Sequence, residues 1–180
     1  LMNIRIARRT LYVCLVILLI GVAYYYADHR IVKSEELGSF NYIVYENPQE
    51  LYGDSELVMI AEATSKSSEI VTRGEYLDGY TLTEVVPIKV LKNESKNSIQ
   101  DRVTIIEPTF SVDNGMTSLG RTQYYFEGYR KVLPDSTYLL FLNWDENKNA
   151  YWVHALHQGK MNIDDRDKEE LAYSERDPAF

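Results

Sequence analysis

Few residue types in this chain could do chemistry, and their spacing argues against most of the reactions they would serve. His154 and His157 stand three positions apart in Ala150 to His157, a segment that reads as a strand. A three-residue step along a strand sends two side chains to opposite faces, so the two rings cannot grip one metal ion. They read instead as packing and hairpin hydrogen-bonding groups. Glu62 sits inside the apolar run LVMIAEAT, Leu57 to Thr64, where alternation turns it to solvent unless it is buried with a partner. Glu107 closes RVTIIE. These two carboxylates are the candidates for a hydrolytic site.

The acidic run Asp164, Asp165, Asp167, Glu169, Glu170 lacks the turn glycine and the distant bidentate glutamate of a calcium loop. It reads as the start of a helix, where the dipole favours carboxylates. The chain has no G-x-S-x-G, no H-E-x-x-H and no glycine-rich phosphate loop. Cys14, the single cysteine, lies in an apolar stretch. The expectation is therefore no catalytic residue, no metal site and no cofactor. What remains for recognition is aromatic: Tyr76, Tyr80, Tyr124, Tyr125, Phe126 and Tyr129. Such rings give large contact area at low entropic cost and are common at interface centres. The competing reading is that they close the ends of a β-structure as core.

These residues must be positioned by a domain on one side of a membrane. Leu11 to Ala27 carries no charge over seventeen residues, follows Arg5, Arg8 and Arg9, and ends on Tyr24, Tyr25 and Tyr26. That is the length of a short transmembrane helix with an aromatic belt, and the arginines put its N-terminus in the cytoplasm. The alternative is a signal peptide cut near Ala23, which would release the domain. Beyond Ala27 the chain holds 16 basic against 27 acidic residues. An acidic exterior speaks against nucleic acid and anionic lipid as partners.

The pattern divides the chain into a basic cytoplasmic tail, 1–10; an anchor, 11–27; a tether, 28–40; an outer domain, 41–173; and a polar tail, 174–180. Strands are predicted at 41–45, 57–64 with pairing resumed over 69–73, 80–92, 102–107, 122–126, 137–143, 150–157 and 160–163. Alternation and β-branched residues carry these assignments. Pro87 marks an edge or a bulge in the longest strand. Short helices are predicted at 49–56 and, within 164–173, over DKEELAY (167–173) with Asp165 as its cap. Residues 109–131 form a long irregular connection punctuated by Gly115, Gly120 and Gly128. The fold class is mainly β: an N-terminal transmembrane helix followed by a small antiparallel barrel with short helices.

The succession SELVMIAEAT, TLTEVVPIKVLKN, RVTIIEP and LPDSTYLLFLNWDENKNAYWVHALHQGKMNI resembles a group of poorly characterised extracytoplasmic proteins of Gram-positive bacteria. Their domains look like the oligonucleotide/oligosaccharide-binding (OB) barrel also used by netrin-like and metalloprotease-inhibitor modules. The resemblance spans Ser55 to Ile163 and implies a fold rather than a reaction. The N-terminal cysteine with which metalloprotease inhibitors chelate metal is absent, so that activity does not carry over. The expected role is a membrane-tethered binding module for a protein, peptide or cell-wall partner. The alternatives are an envelope hydrolase inhibitor, an immunity or exclusion factor and, ranked last, an envelope hydrolase.

Overall fold

The computed structural model describes residues 2–38, 43–115 and 118–170. The chain is mainly β with an N-terminal apolar helix, and it forms two compact units.

The first unit comprises Leu1–Ser34 and Ser111–Gln123. Helix α1, Met2–His29, starts well before the predicted span, because nothing in the preceding segment breaks a helix. Its stretch Arg8–His29 is long and apolar enough to cross a membrane, and none of it is buried. The tether is not featureless: β1, Ile31–Glu36, follows the helix directly. Strands β5, Thr109–Asp113, and β6, Arg121–Tyr125, resolve the irregular connection, and the small sheet runs β1-β6-β5. Arg121 N–H donates to Arg30 O (2.9 Å), and Arg121 Nε donates to Ser111 Oγ (2.7 Å). Gly120, at φ 96°, passes so near Val32 that a Cβ would lie 2.6 Å from its methyl carbon.

The second unit, Glu35–Phe110 and Tyr124–Phe180, carries the main sheet. Helix α2 spans Pro48–Asp54, and β2, Leu57–Arg73, pairs with β3, Leu77–Asn93. The turn predicted at Ser65 to Ser68 is instead a bulge that the ladder absorbs between Ala63 and Ser67. Pro87 pairs with Ala61 beside another register shift, where the lost amide hydrogen does least harm. Then come β4, Val103–Glu107; β7, Thr137–Asp145; β8, Ala150–Val153; and β9, Lys160–Asn162. The strand predicted at 41–45 falls partly outside the described residues, and 43–45 are irregular.

Pairing runs β2-β3-β4-β8-β7 and returns from β7 to β2. The ladders are antiparallel except β4–β8, which is parallel and only two residue pairs long, Ile105↔Tyr151 and Ile106↔Trp152. The barrel is therefore not closed along its length. Because β2 holds one edge of β7, β8 and β9 share the other edge in succession, against Leu142 to Asp145 and Tyr138 to Leu140. Residues 154–159 break out between them. Ala155 and Leu156 adopt φ 55° and 51°, which ends the strand predicted to reach His157, and a 3-10 turn, Leu156–Gly159, follows. The chain then returns so tightly that a Cβ on Gly159 would sit 1.7 Å from His154 O.

Alternation separates two hydrophobic layers. Leu57, Met59 and Ala61 of β2 meet Leu142, Leu140 and Tyr138 of β7 in the inner core. Val58 and Phe141, one residue out of phase, form an outer layer with Leu51, Tyr45 and Ala155. Past β9, Asp167 Oδ1 rather than Asp165 caps the helical turn at 168–170, accepting from Glu170 N–H (3.1 Å). Asp165 is at φ 59°. The rest of that predicted helix lies outside the described residues.

Candidate functional site

The outer layer is incomplete, and its gap is a cleft of ≈ 590 Å³. Leu51, Leu139, Phe141 and Met161 give it apolar walls, Tyr45 forms one side, and Glu46, Asn47 and Gln158 supply polar groups. Its volume and lining fit the usual form of a small binding site, apolar with a few placed polar groups.

Each wall has a local cause. Asn47 is extended (φ −147°); its Oδ1 accepts from Glu50 N–H (2.9 Å) while its Nδ2 donates to Glu50 Oε1 (2.7 Å). That reciprocal cap, with Pro48 in the first turn, starts α2 abruptly and holds Leu51 over Phe141 and Val58. Leu139 and Phe141 come from TYLLFLN, whose unbroken apolar run gives β7 an apolar outer face as well as an inner one. Met161 is exposed on β9.

Tyr45 is held at four points, two of them by a single glutamine. Its N–H donates to Gln158 Oε1 (2.9 Å), and its carbonyl accepts from Gln158 Nε2 (3.0 Å). Its hydroxyl donates to Asp54 Oδ2 (3.1 Å) and lies 2.8 Å from His154 Nε2. Burial, then Asp54, pushes the Tyr45 phenol up. The tautomer of His154 follows from its other neighbour. Asn143 Oδ1 accepts from Glu56 N–H (2.8 Å), which leaves Asn143 Nδ2 to donate to His154 Nδ1 (3.1 Å). His154 must then carry its proton on Nε2 and donate it to Tyr45. A second proton would face an NH₂ group. Burial also depresses the His154 pKa, with Asp54 opposing. The 154–159 excursion thus braces the cleft wall from behind.

A second, more polar cleft of ≈ 250 Å³ lies among Asn97, Gln100, Arg102, Trp144, Asn149 and Tyr151. None of the six aromatic residues singled out from the sequence lines either cleft. Tyr76 is exposed at the β2–β3 turn. Tyr80 is half-buried, 6.2 Å from the ring of Trp152, with Lys148 Nζ above both rings at 5.4 and 5.2 Å. Asp145 accepts from both Lys148 Nζ and Trp152 Nε1, and these bonds lower its carboxyl to about 2. Tyr124 stacks on Phe110 (5.5 Å), and Tyr125 lies under Arg130 (5.5 Å). Phe126 and Tyr129 are buried, beyond reach of a partner.

Of the two carboxylates weighed for hydrolysis, Glu62 is exposed and Glu107 is wholly buried. Glu107 accepts from Thr83 Oγ1 (2.5 Å), Tyr129 O–H (3.1 Å) and Val132 N–H (2.7 Å). Burial raises its pKa against these bonds. Beside it Lys160, 2 % exposed, pairs with Glu170 (2.8 Å) over the rings of Tyr129 and Tyr138. Tyr138 O–H donates to Asp167 Oδ2 (2.8 Å). These groups are saturated and enclosed, and neither cleft is lined by Glu62 or Glu107. Among the described residues no three His, Cys, Asp or Glu side chains are placed to hold a metal ion.

Sequence reasoning missed Tyr45, Asn143 and Gln158. The available signal was the doubly apolar run of β7 followed by Gly159, which together imply a second layer and a tight return. Compared with family models, curated proteins and solved structures, the chain matches none.

Proposed function

We propose that this protein is a membrane-tethered, extracytoplasmic binding module that takes an apolar group of its partner into the cleft over β7. The cleft carries the reading: an apolar gap of ≈ 590 Å³ whose Tyr45 wall is fixed by four hydrogen bonds. The anchor lies in α1, and the arginines before its apolar run support a cytoplasmic N-terminus. The strand order β2-β3-β4-β8-β7, with its parallel β4–β8 step and return to β2, supports an OB-like barrel, a class that is partly open. The resemblance to Gram-positive extracytoplasmic proteins agrees with that topology. No chemical step is assigned, because Glu107 is enclosed and Glu62 stands outside both clefts.

Site-directed photo-cross-linking in intact cells tests the reading. A photoreactive residue at Met161 should give a discrete adduct, one at Tyr76 should not, and external protease should degrade the domain. Adducts from Tyr76 with none from Met161 would return the site to the aromatic turn. Protection from external protease would reverse the topology.

A further inference from the structure

The cleft restricts its occupant more narrowly than its apolar walls suggest. Its polar groups are already engaged, with one exception. Asn47 is closed on Glu50, Gln158 on the Tyr45 backbone, and the Tyr45 hydroxyl on Asp54 and His154. Glu50 and Asp54 each accept one of these bonds, and neither lines the cleft. Glu46 lines the mouth, is exposed, and has no hydrogen bond or ion pair among the described residues. No cationic side chain lines the cleft, and α2 beside it carries none. An entering group therefore meets an apolar floor and, among the lining residues, one carboxylate without a partner, Glu46. The gap also continues. Pro48 and Phe141 are shared with an adjoining shallower cleft of ≈ 290 Å³ that runs on to Gln49 and Tyr52. Two apolar pockets either side of one wall suit successive side chains of an extended chain better than one compact molecule.

Resting on the cleft reading above, we infer that the partner is a peptide segment in which a lysine or arginine follows an apolar side chain seated against Leu139, Phe141 and Met161, its cation meeting Glu46. The excess of acid over base beyond Ala27, 27 residues to 16, steers such a segment inward and rejects acidic ones.

The test uses the full chain in nanodiscs of zwitterionic lipid, with empty discs as blank. Three dye-labelled peptides share one leucine-containing sequence and differ only in a flanking Lys, Gln or Glu; binding is read by fluorescence anisotropy. The lysine peptide should bind about two- to fivefold tighter than the glutamine one, the scale of an exposed ion pair, and the glutamate peptide weaker still. Glu46→Gln should remove the lysine advantage, read as the ratio of lysine- to glutamine-peptide affinity within each variant, and Met161→Lys should weaken all three. Equal binding of the three peptides, still abolished by Met161→Lys, would overturn the cation requirement and leave the cleft standing. A lysine preference that survives Glu46→Gln would overturn it too. No binding of any peptide to the wild-type chain would remove both.

Discussion

The two faces of β7 present opposite solutions to the same problem. Inward, Tyr138, Leu140 and Leu142 are essentially inaccessible, and the charges near them, Glu107, Lys160, Glu170 and Asp167, are locked into hydrogen bonds and an ion pair. Outward, Leu139 and Phe141 are apolar yet only partly roofed, and the cleft above them holds an unpaired carboxylate. The inner face concentrates ionisable groups but admits nothing. The outer face has little chemistry and is open. On the reading proposed above, titratable residues in number are a poorer guide to the site than accessible, unmatched surface.

Removing the inner cation should have the largest effect. Lys160→Ala leaves Glu170 buried without its partner, a loss of about 3–5 kcal/mol, read as a shifted urea midpoint by the fluorescence of Trp144 and Trp152. The double change Lys160→Met with Glu170→Leu should recover most of it, since a buried ion pair exchanged for packed apolar groups is often close to neutral. Full loss in the double variant would mean that the pair contributes more than mutual neutralisation.

Next comes a direct contrast across the strand. Leu140→Ala should cost about 2–5 kcal/mol by opening a cavity in the inner core. Met161→Lys, at the exposed mouth of the outer face, should change stability by no more than about 0.5 kcal/mol while abolishing ligand binding. If Met161→Lys unfolds the domain, the outer face is core and the contrast fails.

Gly159→Ala lies between these two. A methyl group cannot fit 1.7 Å from His154 O, so the return must open. The expected cost is about 1–3 kcal/mol, typical of overpacking, with a loss of binding larger than the loss of stability implies, because Gln158 and His154 both brace Tyr45.

The smallest effect is pH-dependent. Burial holds the folded pKa of His154 below its ordinary 6.5, so its contribution is fully present above that value and is lost as pH falls through the folded pKa. Glu107 and Glu170 act in the opposite sense: burial raises their pKa values, so their contribution declines as pH rises above the ordinary carboxyl value. Subtracting the urea midpoints of His154→Gln from those of the wild type isolates the histidine. The difference should shrink on acidification below neutrality, and a difference that grows would mean that the fold holds the imidazolium rather than the neutral ring.

Much of the fold was readable because period-two patterns report which face is buried. LVMIAEAT, RVTIIE and TYLLFLN became strands close to their predicted limits. The boundaries that moved have two causes: the break expected at 65–68 became a bulge because β3 continues alongside it, and β8 stopped at Val153 because the next residues, Ala155 and Leu156, turn left-handed. The site was less legible. A tyrosine at position 45 looks like any other of the 15 in the chain until Gln158 and His154, more than 100 residues later, are folded against it. The aromatic residues singled out from sequence had the composition of an interface, but composition does not encode which rings turn inward, and Phe126 and Tyr129 do.

The β2–β7 seam has one more consequence, in time rather than in space. It pairs Leu57 with Leu142, whereas β2–β3 and β7–β8 join near neighbours in the chain. Local hairpins form early, and a contact across so long an intervening loop comes late. Val58 and Phe141 meet across this seam, and the roof of the cleft rests on them. Any partially folded species that lacks the seam also lacks the cleft, so a partner of the kind proposed above would engage only chains that have formed this late contact.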